Sequence, residues 1–247
     1  MMSDKISTIL ATIATVCWCI QLIPQIYSNW RRKDCTGFPP IMMYLWVLSG
    51  IPFGIYFCII RANIVLQIQP HVFMFFCFIS FIQACYYPPV EYNKKTIILV
   101  LSGTIVLDLS LELPCILTLR PLYDRGIKWP ALIFGISAVI LLIVGFLPVY
   151  IDLLKRKGRV VGINFVFLFI DSLGAWLSII SVIFGKFDTL GIILYSCVAV
   201  MEVGIAVSHL IWYLRYRFNK DTEDNEELEM QCSSINEKVS YIDEQKK

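Results

Sequence analysis

The chain has 247 residues, of which 57% are hydrophobic and only 16% are charged, and its mean hydropathy is +0.70. A soluble domain carries about a quarter charged residues, so this composition excludes an ordinary soluble protein and indicates a polytopic membrane protein in contact with lipid. The formal net charge of +2 gives no indication of a nucleic-acid partner.

Apolar segments long enough to cross a bilayer, about 20 residues each, occur seven times along the chain. They cover approximately residues 6–28, 39–60, 69–89, 96–119, 131–153, 163–184 and 189–214. The first segment lacks the cationic start and the cleavage site of a signal peptide, so we interpret it as a retained span. The connections are short, and the pattern predicts an all-α bundle of seven transmembrane helices.

Hydrophobicity falls sharply after residue 214. Residues 221–229 are mostly acidic, and low hydrophobicity with clustered charge is typical of disorder. We therefore expect residues 215–247 to form a disordered acidic tail, which either solubilises the protein or contacts a partner protein.

Cysteines and histidines do not form the patterns of a disulfide framework or a metal site. Most of the nine cysteines lie inside apolar segments, where thiols behave as small hydrophobic side chains. No CxxC pair occurs, and the two histidines, His71 and His209, lie far apart in sequence. We expect neither a metal nor a cofactor.

The distribution of cations predicts the orientation in the membrane. With seven spans, the loops after spans 1, 3 and 5 share a side with the C-terminus. The cations near the membrane on that side are Arg31, Arg32, Lys33, Lys94, Lys95, Lys155, Arg156, Lys157, Arg159, Arg215, Arg217 and Lys220. Those on the opposite side are Lys5, Arg61, Arg120, Arg125, Lys128 and Lys186. The positive-inside rule therefore predicts a cytosolic C-terminus and a lumenal N-terminus.

An internal repeat runs through the chain. The shared order of proline, basic triplet and glycine is Pro24, 31–33 and Gly37 in the first copy and Pro148, 155–157 and Gly162 in the second. The proline lies seven residues before the triplet in both copies, and a new span follows each glycine. Both copies begin on the same side of the membrane, so the pattern predicts two parallel repeats. The expected organisation is a three-helix unit at 6–90, a linker span at 96–119 and a second unit at 131–214 (3+1+3).

These motifs resemble the PQ-loop repeat family, which includes cystinosin, the lysosomal cationic amino-acid exporters and, more distantly, the SWEET sugar transporters. The resemblance rests on the Pro24-Gln25 pair, the basic loop after it and the glycine that precedes the next span. It extends to residues 49–56, 67–70, 158–165 and 170–176, which are similar to a fungal branch of the family. The second motif departs from the pattern, because Pro148 is followed by Val149 and not by glutamine.

The resemblance implies that Pro24 and Pro148 act as hinges while the bundle opens to one side and then the other. A proline removes one backbone hydrogen bond and permits local bending, although a static kink is the alternative. Gln25 adds an amide that can bond across helices. Its absence from the second copy suggests that the two halves contribute unequally.

Carboxylates within the spans are the candidate proton or substrate sites, since a charge at mid-bilayer costs about 3 kcal/mol and usually has a function. The candidates are Asp108, Glu112, Asp171 and Glu202. Asp108 and Glu112 stand four residues apart and share one helical face. Glu202 has the spacing to contact His209 two turns later. Asp152, in contrast, is expected to pair with Lys155 or Arg156.

Amides at Asn164 and Gln69 are further candidates for contact with a solute. The sequence shows no nucleophile elbow, HExxH motif, P-loop or GxGxxG motif, so we do not expect an enzyme. The favoured function is a proton-coupled transporter for a small polar solute, preferably an amino acid. We expect it in the vacuolar or lysosomal membrane, with the endoplasmic reticulum or Golgi as alternatives.

A non-transporting seven-helix receptor or scaffold related to the KDEL receptor is the rival interpretation. In that case the acidic tail would be the contact for a coat or partner protein. The transporter and the receptor share the fold, so the tail is the feature that distinguishes them.

Overall fold

A computed structural model of the protein describes residues 2–62, 64–185 and 189–245. Within these residues all regular secondary structure is helical. The helices are α1 (Met2–Ile20), α2 (Leu22–Arg32), α3 (Pro40–Ile59), α4 (Ile64–Tyr86), α5 (Lys94–Asp124), α6 (Trp129–Lys155), α7 (Phe165–Phe184) and α8 (Thr189–Gln245). Seven segments of the described chain are long and apolar enough to span a bilayer, which confirms the predicted number. Spans 1 to 7 are α1 with α2, α3, α4, α5, α6, α7 and the first part of α8.

Span 1 is interrupted at Gln21, where α1 ends and α2 begins. The cause lies three residues later, because the Pro24 ring has no N–H to donate to the carbonyl of Ile20. The other repeat behaves differently. Pro148 lies inside α6, which continues without interruption to Lys155. The two prolines therefore have different effects on their helices.

The basic side of the bundle, defined by the loops 33–39, 87–93 and 156–164, shows the internal repeat in its backbone. Lys33 and Lys157 both adopt a φ of 54° directly after a basic helix end. The helices that follow, α3 and α7, each contain 20 residues. These equivalent turns and helix lengths support the repeat predicted from sequence, which stays a prediction.

Helix packing relates the two repeats. The first three spans pack in the order 1–3–2, since α4 contacts both α1 and α3, and α8 likewise contacts both α6 and α7. Between the repeats, α1 packs on α7 and α3 packs on α6, which are equivalent pairs under an exchange of the two copies. These contacts support a 3+1+3 organisation, which stays a prediction. The linker span α5 packs chiefly against α3.

The centre of the bundle is built around Trp46 of α3, which is 1% exposed. Its indole ring packs against Phe73, Phe146 and Phe167 from three other helices. The indole N–H donates to the carbonyl of Leu142 at 3.1 Å, so its one polar atom is paired. Helices from both repeats therefore meet at one aromatic side chain.

The end of the chain differs from the expectation of a disordered tail. α8 continues beyond the membrane span and remains helical to Gln245. The sequence offers a reason, since no glycine or proline occurs after Gly204 to end the helix. Acidic composition alone does not exclude a helix, and the solvation of the tail stays a prediction.

Candidate functional site

The Pro24-Gln25 pair connects the two repeats on the basic side. Gln25 is fully buried, and its Oε1 accepts a hydrogen bond from the Asn164 backbone N–H at 2.6 Å. Its Nε2 donates to the carbonyl of Gly162 at 2.9 Å and to Asn29 Oδ1 at 2.8 Å. The Asn164 amide in turn donates to the carbonyl of Pro24 at 3.3 Å. We call these five residues the Gln25 cluster.

The Gln25 cluster is built by two short local patterns. Asn29 lies one turn after Gln25 on α2, so both amides occupy one helical face. Asn164 is the N-cap of α7, and its side chain accepts from the Val166 N–H at 2.8 Å. The cap fixes the loop before α7 in the orientation that Gln25 requires. The predicted candidates Gln25 and Asn164 therefore belong to one contact.

The second repeat has no such cluster. Val149, which follows Pro148, is buried and apolar. A valine cannot form the hydrogen bonds of a glutamine, so the loop before α3 has no equivalent polar attachment. The unequal contribution of the halves, expected from the missing glutamine, has this structural counterpart.

Two glycines cross next to the Gln25 cluster. Gly37 and Gly162 have φ angles of 81° and 83°, which L side chains rarely adopt. A Cβ atom on Gly37 would collide with the carbonyl of Val161, and one on Gly162 with the carbonyl of Thr36. The two loops thus approach backbone to backbone in a reciprocal way and close the basic side.

A central cavity lies between the repeats. Its polar side chains are Gln21, Gln69, Asp171 and Tyr195, and its walls are largely aromatic, including Trp18 and Trp46. Phe57, Leu66 and Leu194 line it near the helix ends on the side opposite the basic loops. The cavity therefore extends from the middle of the bundle toward that opposite side.

The two repeats supply different chemistry at equivalent positions of this cavity. Trp46 is the seventh residue of α3, and Asp171 is the seventh residue of α7. Trp46 packs where Gly145 of α6 leaves room, while Asp171 faces Gln21 of span 1. One repeat contributes an aromatic wall and the other a carboxylate.

Asp171 is 4% exposed and Glu202, from α8, is 1% exposed. With its amide oriented to donate, Gln21 Nε2 lies 3.0 Å from Asp171 Oδ2; this orientation is assigned from the surrounding acceptors. Glu202 lies within hydrogen-bond reach of Asp171 and beside Ser172. Neither Glu202 oxygen receives a well-aligned hydrogen bond from the described residues.

The geometry of this carboxyl pair suits a proton. Two carboxylates only accept hydrogen bonds and repel one another, whereas one proton between them creates a donor. Gln69 lies in the same cavity with its Oε1 buried and without a partner in the described chain. Asp171 and Gln69, predicted separately, thus line one cavity, and Glu202 lies beside Asp171 without lining it.

Asp108 and Glu112 lie elsewhere. Neither lines the cavity. Glu112 Oε1 is instead 3.3 Å from His71 Nε2 of α4, and Gly54 of α3 leaves the room for this contact. The hypothesis that Asp108 or Glu112 acts together with Asp171 at one site does not match this arrangement, because α3 and α4 form the cavity wall between them.

Two further expectations have clear outcomes. Asp152 pairs with Arg156 at 2.7 Å, which confirms the predicted ion pair. The suggested contact of Glu202 with His209 is wrong, since Glu202 lies beside Asp171. His209 Nδ1 instead accepts the Val160 N–H at 3.2 Å. The seven-residue spacing places Glu202 and His209 two turns apart on α8, but each has a partner from another part of the bundle. Glu202 lies beside Asp171 of α7, and His209 contacts Val160 in the loop before α7.

Sequence reasoning missed His71 as a partner for Glu112, and the cavity walls Trp18 and Phe146. Aromatic side chains are frequent throughout the spans, so no sequence signal separated these two from packing residues. His71 carried a signal that could have been used, because an ionisable side chain within a span usually has a partner.

The sequence of this chain is similar to one protein family and to several fungal proteins. Residues 6–66 match the PQ loop repeat family. The uncharacterized membrane protein YDR090C of Saccharomyces cerevisiae is 61% identical over 241 residues, which cover 97% of this chain and 78% of that protein. The uncharacterized protein C2E12.03c of Schizosaccharomyces pombe is 34% identical over 222 residues, covering 90% of this chain and 77% of that protein. The vacuolar histidine transporter YPQ3 of Saccharomyces cerevisiae is 33% identical over 49 residues, covering 20% of this chain and 17% of the transporter.

Proposed function

Because the chain belongs to the PQ-loop repeat family, in a fungal branch with YDR090C and C2E12.03c, we propose that it is a proton-coupled transporter for a small polar solute. An amino acid is the favoured solute. The observation that carries the proposal is the Asp171–Glu202 pair at the central cavity, whose described lining residues include no lysine, arginine or histidine.

The solute binds in the cavity between an aromatic wall and a carboxyl group. Trp46 and Trp18 provide apolar surface, and the ammonium group of an amino acid fits the Asp171 carboxylate. Gln69 offers an unpaired amide oxygen for a further hydrogen bond. Such a site combines apolar walls with a few polar groups that fix the orientation of the ligand.

Proton coupling follows from competition at Asp171. When a proton occupies the Asp171–Glu202 pair, the pair carries one negative charge less and attracts an ammonium group less strongly. When the proton leaves, the solute has the stronger carboxylate site. Proton and solute therefore exchange for one another, and a proton gradient drives movement of the solute.

Rocking of the two halves provides alternating access. The cavity extends toward the side opposite the basic loops, while the Gln25 cluster and the glycine crossing close the basic side. Opening the basic side requires the loop before α7 to leave Gln25. The break at Gln21 and the missing hydrogen bond at Pro24 allow span 1 to bend there, and Pro148 serves as the hinge in α6.

The membrane that fits this function is that of an acidic endomembrane compartment. The positive-inside rule places the basic loops in the cytosol and the open cavity toward the lumen. The similarity to the vacuolar histidine transporter, although confined to 49 residues, supports the vacuole.

Uptake into proteoliposomes tests the proposal. We expect a panel of radiolabelled amino acids to include at least one whose initial uptake rate rises when a pH gradient is imposed. Asp171→Asn should abolish the dependence on the gradient, because the amide cannot release a proton. Asp152→Asn is the matched control, since Asp152 pairs with Arg156 outside the cavity.

Two outcomes oppose the proposal. If the uptake rate depends neither on the pH gradient nor on the Asp171→Asn substitution, the proposed proton coupling is wrong. The absence of uptake for every amino acid removes the favoured solute.

A receptor or scaffold function has one observation in its favour, the helical extension of α8 to Gln245. A helix that continues beyond the membrane can present a surface to a partner protein. Deleting residues 221–247 distinguishes the two functions. A transporter keeps its uptake, whereas a receptor loses its protein partners.

A further inference from the structure

The linker span α5 is held to the rest of the bundle in an unusual way. Its only buried residues are Ile97 and Thr104, both in its first third, and no residue from 105 to 124 is buried. Tyr44 and Thr104 are joined near that first third, with their hydroxyl oxygens 3.3 Å apart. Since lipid is as apolar as the helix surface, the hydrophobic effect does not attach the remainder of α5.

Beyond Thr104, α5 combines the packing of partly buried side chains such as Leu119 and Tyr123 with two polar contacts. Near its end, Arg61 Nη2 lies 2.7 Å from Asp124 Oδ2, and both side chains are about half exposed. Near mid-membrane, His71 Nε2 of α4 lies 3.3 Å from Glu112 Oε1. The first contact joins groups that are ionised throughout the physiological pH range, whereas the second depends on the protonation of an imidazole.

Asp108 completes this second contact. Its carboxyl lies beside that of Glu112, four residues later, and its Oδ1 is buried without a partner in the described chain. Gly54 of α3 admits the group, because a Cβ there would lie 2.9 Å from Glu112 Oε1 and 3.0 Å from His71 Cε1. We call His71, Asp108 and Glu112 the His71 cluster.

Other ionisable groups around the cluster are few. From α3, Cys58 interacts electrostatically with Glu112 and with Arg120 of α5. The α6 sequence between Trp129 and Tyr150 contains no charged residue. The His71 cluster therefore consists of one imidazole facing two carboxyl groups, with no further charged group from α6.

We propose that the His71 cluster is a second proton-binding site, outside the transport cavity, that docks the linker span α5 onto α3 and α4. A proton on His71 creates an imidazolium–carboxylate pair with Glu112 and fastens the middle of α5. Loss of that proton leaves two carboxyl groups facing a neutral imidazole, and the far part of α5 then keeps the Arg61–Asp124 pair and the packing of Leu119 and Tyr123. On the proposed transport function, the freedom of the linker sets how readily the two halves rock.

The experiment measures the melting temperature of the full chain in lipid nanodiscs at about pH 5 and about pH 8, on either side of the imidazole range. The ion pair exists only while His71 is protonated, so its stabilisation is present in acid and lost as the pH rises. His71→Gln and Glu112→Gln should each reduce the difference between the two melting temperatures by about 3 °C. The double variant should reduce it no further, because both changes remove one contact.

Arg61→Gln is the matched control. It breaks the other ionic contact of α5 and should lower the melting temperature equally at both pH values. Asp108→Asn gives an independent variant that keeps a polar side chain beside Glu112, and we expect it to shift the pH at which the melting temperature changes. A pH difference that persists in both His71→Gln and Glu112→Gln overturns the proposal.

Asp171→Asn separates this site from the cavity. It should leave the pH difference in melting temperature intact while it abolishes the coupling of uptake to the gradient. Lack of uptake by the unaltered protein, with the pH difference still dependent on His71, would contradict the transport function but support the second proton site.

Discussion

At the scale of single residues, the buried side-chain amide of Gln25 forms hydrogen bonds to three other residues. It pairs three groups: the N–H of Asn164, the carbonyl of Gly162 and the side chain of Asn29. Two of these belong to the other repeat and lie in a buried setting where an unpaired polar group costs about 1–3 kcal/mol. The Gln25 side chain therefore links the two halves on the basic side, together with Arg32, which also donates to the Gly162 carbonyl.

Replacing Gln25 by leucine should reduce stability because it leaves the Asn164 N–H unpaired and removes one of the two donors to the Gly162 carbonyl, the other being Arg32 Nη2 at 3.1 Å. We expect a loss of about 3 kcal/mol, seen as a melting temperature lower by about 8 °C. Gln83→Leu is the control, since Gln83 donates one hydrogen bond, to Ile26 within its own repeat, at 3.1 Å. Equal effects of the two substitutions would argue against a special role for Gln25.

At the scale of helices and loops, the two repeats are similar in backbone and different in side chains. Their loops carry matching φ angles at Gly37 and Gly162, and α3 and α7 have the same length. At the seventh position of these helices, however, stands Trp46 in one and Asp171 in the other. Similar backbones in the two repeats thus support an asymmetric cavity, with an aromatic side chain on one side and a carboxyl group on the other.

Alanine at Gly37 or at Gly162 should destabilise the closed basic side to a similar degree, since the contacts are reciprocal. Each change costs about 1–2 kcal/mol for the backbone conformation, with a further cost for displacing the opposite carbonyl. Gly126→Ala isolates the conformational part, because Gly126 has a φ of 90° and open space around it. The melting temperatures of the three variants check this prediction. If Gly126→Ala lowers the melting temperature as much as the other two changes, the close contact between the loops at Gly37 and Gly162 adds nothing to stability.

At the scale of the whole molecule, the odd number of spans places the two termini on opposite sides of the membrane. The charge distribution then orients the bundle, with the basic loops expected in the cytosol. This orientation decides which compartment the cavity faces, because the cavity extends toward the side opposite the basic loops. That side is the lumen only if the basic loops are cytosolic.

Epitope tags at the two termini test the orientation in sealed vacuolar vesicles whose cytosolic face is outward. Protease added outside should remove a C-terminal tag and leave an N-terminal tag intact. Detergent should make both accessible and serves as the control. Removal of both tags from sealed vesicles would contradict the seven-span topology, and removal of only the N-terminal tag would invert the orientation.

The sequence by itself determined the number of spans, because hydrophobicity along the chain is a property of neighbouring residues, and it predicted the internal repeat from the spacing of its motifs. It also identified the carboxylates Asp171 and Glu202 as candidates, since any charge within a span is exceptional. It did not show that α8 continues as a helix to Gln245, because acidic composition is compatible with both states.

Only the tertiary structure decided which of the candidates share a site. Gln25 and Asn164 are 139 residues apart, and their contact depends on how two repeats pack across the bundle. The same packing separates Glu112 from Asp171 and brings it to His71 instead. Helix rotation and the choice of neighbouring helix fix such contacts, and neither is encoded in the spacing along a single span.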